Sequence, residues 1–297
     1  MSSVSLPLAA TAAVKPAPSR SFWIVVLRQL RRDPVAMVSG VVLLLIIGAA
    51  VFAPWLAPAD PFKASMLNRL LPIGTPGHWL GTDELGRDML TRLMFGGRLS
   101  LLMGVVPVLA AFVIGTSIGL FAGYVGGRAN MVTMRMLDVF YAFPSVLLAV
   151  AIAGALGPGM SNSLMALTLV FVPQMVRVAE SVTTQVRRLD YNEAARMSGA
   201  GAFSIIRVHV LGNVLGPVFV YATGLLSVSM ILGSGLSFLG LGVKPPEPEW
   251  GLMLNTLRSA IFRNPLVAAL PGAMIFVTSI AFNLLADGVR SAMDIRR

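Results

Sequence analysis

The chain has 297 residues, 56% of them hydrophobic and only 12% charged, with a mean hydropathy of +0.80. Soluble domains carry about a quarter charged residues, so a water-bathed core cannot absorb this apolar surface and the bilayer is the expected solvent. The lack of cysteine excludes disulfides, thiolate nucleophiles and Cys-ligated metals, and the net charge of +10 collects at the ends of apolar segments, which favours a membrane over nucleic acid.

Residues 1–21 are small, polar and dotted with proline, and end in Lys15-Pro16-Ala17-Pro18-Ser19-Arg20. No basic residue precedes their short apolar part, which makes a poor signal peptide; they are expected to be disordered instead, within a cytoplasmic N-terminal tail over 1–34. Six apolar segments follow, near 35–53, 99–125, 139–156, 161–178, 214–242 and 266–286. Each approaches the roughly 20 residues that cross a bilayer as a helix. The expectation is an all-α membrane protein with six transmembrane helices. In it, a first helix over 35–55 and an outer loop over 56–97 precede a core over 98–287 and a tail over 288–297. Pro173, Gln174 and Arg177 weaken the end of the fourth span, and Gly224, Gly233 and Gly235 permit a bend or re-entrant portion in the long fifth.

In the outer loop, Leu85, Met89 and Leu93 repeat every four residues while Arg87, Asp88 and Arg92 fall off that stripe. This predicts an amphipathic helix lying on the membrane or on the helix bundle. In the second span, Gly115, Gly119 and Gly123 share one helix face, where small residues let two backbones approach. Such a seam either slides during function or is a tight static contact.

Placing the N-terminus inside puts 15 of the 23 Lys and Arg on the cytoplasmic side, so both termini are expected there. The acids fall in loops or at segment ends, and His78 and His209 lie far apart. A proton relay, a carboxylate pair and a histidine metal site are therefore not expected, nor is any catalytic residue or cofactor of the chain's own. None of the three lysines follows a glycine, so the chain lacks a P-loop, and ATP and Mg would be bound by partner subunits only.

One polar island interrupts the spans, inside a cytoplasmic connector over 181–213. Asp190 or Asn192 supplies a helix cap, Glu193 favours the first turn, and Ala194 and Ala195 favour helix with almost no side chain. Gly199 marks the stop and Gly201 the turn, with a second helix from Phe203 or Ser204. Met197 and Phe203 are apolar groups a lone loop gains nothing by exposing, so they look like anchors for another protein. Arg196 and Arg207 would pair with acids there or with lipid phosphate. The other reading is an interfacial helix resting on headgroups.

The pattern Glu193-Ala194-Ala195, then Gly199, then His209-Val210-Leu211 resembles the EAA loop of ABC importer permeases. The run Leu80-Gly81-Thr82-Asp83-Glu84-Leu85-Gly86-Arg87-Asp88 is similar to a hallmark of the dipeptide/oligopeptide/nickel branch. So are Ala142-Phe143-Pro144-Ser145, Leu236-Ser237-Phe238-Leu239-Gly240-Leu241-Gly242, Pro245-Pro246-Glu247-Pro248-Glu249-Trp250-Gly251 and Ala281-Phe282-Asn283-Leu284-Leu285-Ala286-Asp287-Gly288. The long outer loop resembles that of the "C" permease of the pair. The resemblance implies the type I importer fold and an inner-membrane permease that moves peptides or peptide-like solutes. Its implied partners are a second permease, two cytoplasmic ATP-binding subunits, an extracytoplasmic binding protein and membrane lipid. Glu193, Ala194, Ala195, Arg196, Met197, Gly199, Phe203, Arg207 and His209 would form the loop that couples to the ATPase. Relatives of this branch also serve glutathione, opines and nickel complexes. Two departures stand out: Gly212 replaces the usual proline, which would loosen the turn into the fifth span, and Gly233-Ser234-Gly235 occupy a stretch where many relatives carry an acid.

Overall fold

The computed structural model describes residues 22–294. Residues 1–21, where most of the expected tail falls, lie outside them. A short helix α1 (Phe22–Leu30) leads to α2 (Pro34–Val51), which starts at a well-made cap: Asp33 accepts from Val35 N at 2.9 Å and Ala36 N at 3.2 Å, with proline in the first helical position. A single turn, α3 (Ala53–Leu56), ends this element. The α2 face carrying Leu44 and Leu45 is bare, as expected of side chains dissolved in lipid.

The segment to residue 88 contains no amphipathic helix. Its Thr82–Asp88 stretch is a tight polar knot at the head of α4 (Met89–Val125). Asp83 accepts from Leu85 N and Arg87 N, both at 2.9 Å, and pairs with Arg87 Nε at 2.6 Å and Arg92 Nε at 3.2 Å. Arg92 also donates to Pro61 O at 3.0 Å, and Asp88 caps α4 through Thr91 N at 2.8 Å. Arg87, Asp88 and Arg92 are therefore buried, not displayed off a stripe. The charged side chains of the knot pair with one another, and buried charges persist only in such company. Gly86 sits at φ +74 against the Ser65 carbonyl, a place no side chain fits.

The third span is broken. Helices α5 (Gly127–Tyr141) and α6 (Ser145–Leu156) meet at 86°. Pro144 lacks an amide hydrogen and disfavours a helical residue before it, so the helix ends at Tyr141 and restarts after the proline. Next come α7 (Met160–Arg187), α8 (Asp190–Met197) and a single turn α9 (Ala202–Ile205). A wide turn over Ile206–Val210 joins α9 to α10 (Leu211–Phe238), giving one helical run over Ala202–Phe238. Gly212, Gly224, Gly233 and Gly235 lie inside that run, and Gly212 loosens no turn there. The chain reverses instead at Gly240, φ +81. Finally α11 (Trp250–Thr256) folds back and α12 (Pro265–Asp294) closes the bundle, running past the expected limit of 286. Among the described residues, five helices are long and apolar enough to span a membrane, or six when the bent α5–α6 pair counts as one span.

Helix α4 is central, with its widest contact on α7 and others on α10, α2 and α11. Lipid is as apolar as leucine, so close fit and polar bonds hold such helices together. The α4–α11 contact shows both: Trp250 is buried against Gly96 and Gly97, and its indole donates to Leu93 O at 2.9 Å. Beside it Glu249, also buried, caps α11 through Gly251 N and Leu252 N at 2.9 and 2.8 Å and accepts from the Ser100 hydroxyl at 2.9 Å. Burial pushes the Glu249 carboxyl above its ordinary range, against these bonds, which favour the charged form. A raised carboxyl pKa in the folded state makes its stabilisation complete at low pH and lost as pH climbs through the raised value. The melting temperature in detergent is expected to fall over that interval, and Glu249→Gln to flatten the slope. An unchanged slope would refute the assignment.

Candidate functional site: the connector and its seam

The connector end of the bundle is built from α7, α8 and the start of the long helix. Asn192 does not cap α8. It is buried, and its amide donates to Val186 O at 2.7 Å, stitching α8 to the last turn of α7. Asp190 makes no cap bond either, since the residue preceding α8 is Leu189. Both Asp190 and Glu193 lie in the first turn, where the helix dipole favours a negative charge. Gly199 stops the helix at φ +80, and Ala200 N returns to Ala195 O at 3.1 Å, a left-handed closure that only glycine makes without strain.

This anchoring decides which side chains face out. Ile205 and Val210 are sunk in the core, with Ala195 and Ala200 packed beside it. Met197 is 89% exposed and Phe203 77%. Glu193, Ala194, Arg196 and Arg207 are exposed with them, while His209 is half-buried against the ring of Tyr191. Arg196 lies over the Tyr124 ring at 5.5 Å, which holds α8 beside the end of α4.

The glycine seam runs to the same place. A Cβ added to Gly119 would stand 2.5 Å from Val176 O and 2.6 Å from Ala179 Cβ; one on Gly123 would stand 2.8 Å from Glu180 O and from Thr183 Cβ. One on Gly115 would collide with Met175 Cβ. The three glycines thus form the tight contact of α4 with α7. At its foot opens a cavity of about 460 Å³, lined by Gly123, Asn130, Glu180, Arg187, Glu193 and Arg196 among others. Glu180 is held by Asn130 and by the Thr184 hydroxyl. The arrangement offers no nucleophile with a base beside it. The seam and the exposed connector share one wall of that cavity.

Residues 115–297 match the model of the binding-protein-dependent transport system inner membrane component family, and residues 21–72 match the N-terminal TM domain of oligopeptide transport permease C. The chain belongs to this inner-membrane permease family. The permease is 42% identical over 97% of its length to the di/tripeptide transport system permease protein DppC of Pseudomonas aeruginosa, covering 95% of that protein. It is 41% identical over 93% of its length to the glutathione transport system permease protein GsiD of Pectobacterium atrosepticum, covering 91% of it. A probable D,D-dipeptide transport system permease protein of Escherichia coli is 37% identical, with 89% of each chain covered.

Two features of the permease escaped the reading of its sequence. The cavity joins residues from α4, α5, α7 and α8 that no spacing relates. Acids also sit within helices rather than at span ends: Glu180 is inside α7 and Asp138 inside α5, because both helices outrun their apolar stretches. Polar residues at helical spacing beyond Val178 carried the only signal for that extension.

Proposed function

We propose that this permease carries short peptides across the inner membrane, driven by ATP hydrolysed on separate subunits that grip the Asp190–Val210 connector. The single observation that carries the coupling role is the display of Met197 and Phe203 on a connector whose neighbours Ile205, Val210 and Asn192 are locked into the core. Exposed apolar anchors on a rigid base are the form of a protein-docking surface. The excess of Lys and Arg supports cytoplasmic termini and a cytoplasmic connector. The same reading places a second permease beside this one, two ATP-binding subunits below, a binding protein outside and lipid around. The permease itself binds no cofactor.

The relatives named for di/tripeptides, for D,D-dipeptides and for glutathione are similarly close, and all three solutes are short peptides. Their shared chemistry supports a small zwitterionic or anionic peptide as solute. Purification from native membranes in mild detergent is expected to retain ATP-binding subunits and a second permease. Vesicles holding that assembly and the binding protein should accumulate dipeptide or S-methylglutathione only with ATP. Uptake by the chain alone, without ATP, would instead make it a channel or carrier.

A further inference from the structure

On one face of the bundle lies an ion pair that is not sealed. Arg177 of α7 and Asp138 of α5 meet at 2.8 Å, with side chains 49% and 51% exposed. The guanidinium also stacks on the Tyr141 ring at 4.3 Å. One turn away on the same face of α7, Gln174 accepts from the Tyr221 hydroxyl of α10 at 3.2 Å. Five polar side chains from three helices thus share one exposed patch.

Its depth matters. Arg177 stands ten residues before the end of α7 at Arg187, which is roughly 15 Å at the helical rise. The apolar stretch of α7 gives out near 178, so Arg177 stands at its edge and well short of the helix end. A half-exposed charge pair is costly in hydrocarbon, so at this level it faces water, headgroups or another protein. The three elements also share a means of yielding. Pro173 precedes Arg177 by four residues, Pro217 precedes Tyr221 by four, and Pro144 follows Tyr141 by three. Each proline removes a backbone hydrogen bond and lets its helix flex beside the patch.

We propose that this patch lines the solute path and receives the two ends of a short peptide, Arg177 taking its carboxylate and Asp138 its ammonium. It rests on the reading of the chain as a peptide permease. One ion pair opens and two form with the solute, so no charge is left unpaired in the path. The fork of Arg177, already held flat by Tyr141, suits a carboxylate bidentately, and the Tyr141 and Tyr221 rings flank the space for peptide side chains.

The test uses the whole transporter, with its second permease, ATP-binding subunits and binding protein, in membrane vesicles. The chain has no cysteine, so single cysteines at Gln174→Cys and Tyr221→Cys report alone if the partners are made cysteine-free. Val113→Cys and Phe276→Cys, exposed apolar positions on α4 and α12, serve as lipid-facing references. The thiolate, which forms in water, attacks a charged, membrane-impermeant thiol reagent. Labelling at 174 and 221 is expected at least tenfold faster than at 113 and 276. Dialanine, trialanine or S-methylglutathione should slow it severalfold in the presence of binding protein and ATP. Arg177→Gln and Asp138→Asn should each cut peptide uptake about tenfold or more while ATPase subunits remain bound. Labelling no faster than at Val113→Cys would mean that the face lies against lipid or the second permease, and would overturn the proposal. So would fast labelling that no peptide slows, or wild-type uptake by Arg177→Gln. Loss of the ATPase subunits would instead count against the coupling reading, and the labelling contrast would survive it.

Discussion

Phe203→Asp should abolish ATP-driven uptake while leaving the permease inserted and folded. The ring is 77% exposed, so its removal opens no cavity in the bundle. Placed in an apolar pocket on an ATP-binding subunit, the new carboxylate would be buried unpaired. Truncating an aromatic anchor costs a complex about 2–4 kcal/mol, which is roughly 30- to 1,000-fold in affinity. Met197→Asp, at the other exposed anchor, should behave likewise, with a smaller effect. Co-purification of the ATP-binding subunits and vesicle uptake would measure both. Normal subunit retention and uptake in Phe203→Asp would sink the docking role. Bulky residues at Ala195 or Gly199 make poorer probes. Ala195 packs on the core, and Gly199 at φ +80 admits no ordinary side chain, so either change would deform α8 itself. Glu193→Lys is informative in a different way: it adds a cation to a cavity already lined by Arg187, Arg188 and Arg196.

Gly119→Ala should destabilise the permease by about 3 kcal/mol, the upper range of overpacking, and Gly119→Leu should prevent folded accumulation. Every atom the new Cβ would meet is backbone or Cβ: Val176 O at 2.5 Å, Ala179 Cβ at 2.6 Å and Glu180 N at 2.9 Å. No rotamer relieves such a clash, so α4 and α7 must part. Gly224→Ala is the control, because a Cβ there meets nothing within 4 Å. Thermal unfolding in detergent compares the two. The same pair of variants separates the two readings of the seam. A static contact loses stability and transport together, whereas a sliding one would let Gly119→Ala fold at near-normal stability and fail in transport.

The spans were legible because hydropathy reports contact with lipid, and half of the residues on α2 are exposed on the bundle surface. The same signal misjudged lengths. It stopped the fourth span at 178, yet α7 continues to Arg187 because helix does not end where lipid does. Asp138 and Arg177 were thereby assigned to span ends, and their meeting across two helices stayed hidden. The knot at 82–92 was misread for another reason. A four-residue apolar repeat fits a helix, but Asp83, Arg87 and Arg92 satisfy one another, and mutual pairing leaves no trace in periodicity. In the connector, Gly199 was legible because positive φ selects glycine. The cap was not, because Asn192 spends its amide on Val186 O, a choice made by tertiary packing.

The unbroken run over Ala202–Phe238 has 37 residues, roughly 55 Å at 1.5 Å per residue. It begins beside Phe203 and ends at the reversal beside Gly240. Beyond the joint at Pro217, residues 218–238 form an arm roughly 31 Å long at the helical rise, packed on α4 and α7, which acts as a lever. Tilting that arm by about 10° swings its far tip roughly 5 Å, about the pitch of one helical turn. A modest stroke at the connector is therefore large enough to unseat the packing around Ser234 and Ser237, on which Gly251 and Gly242 close without room for a methyl group.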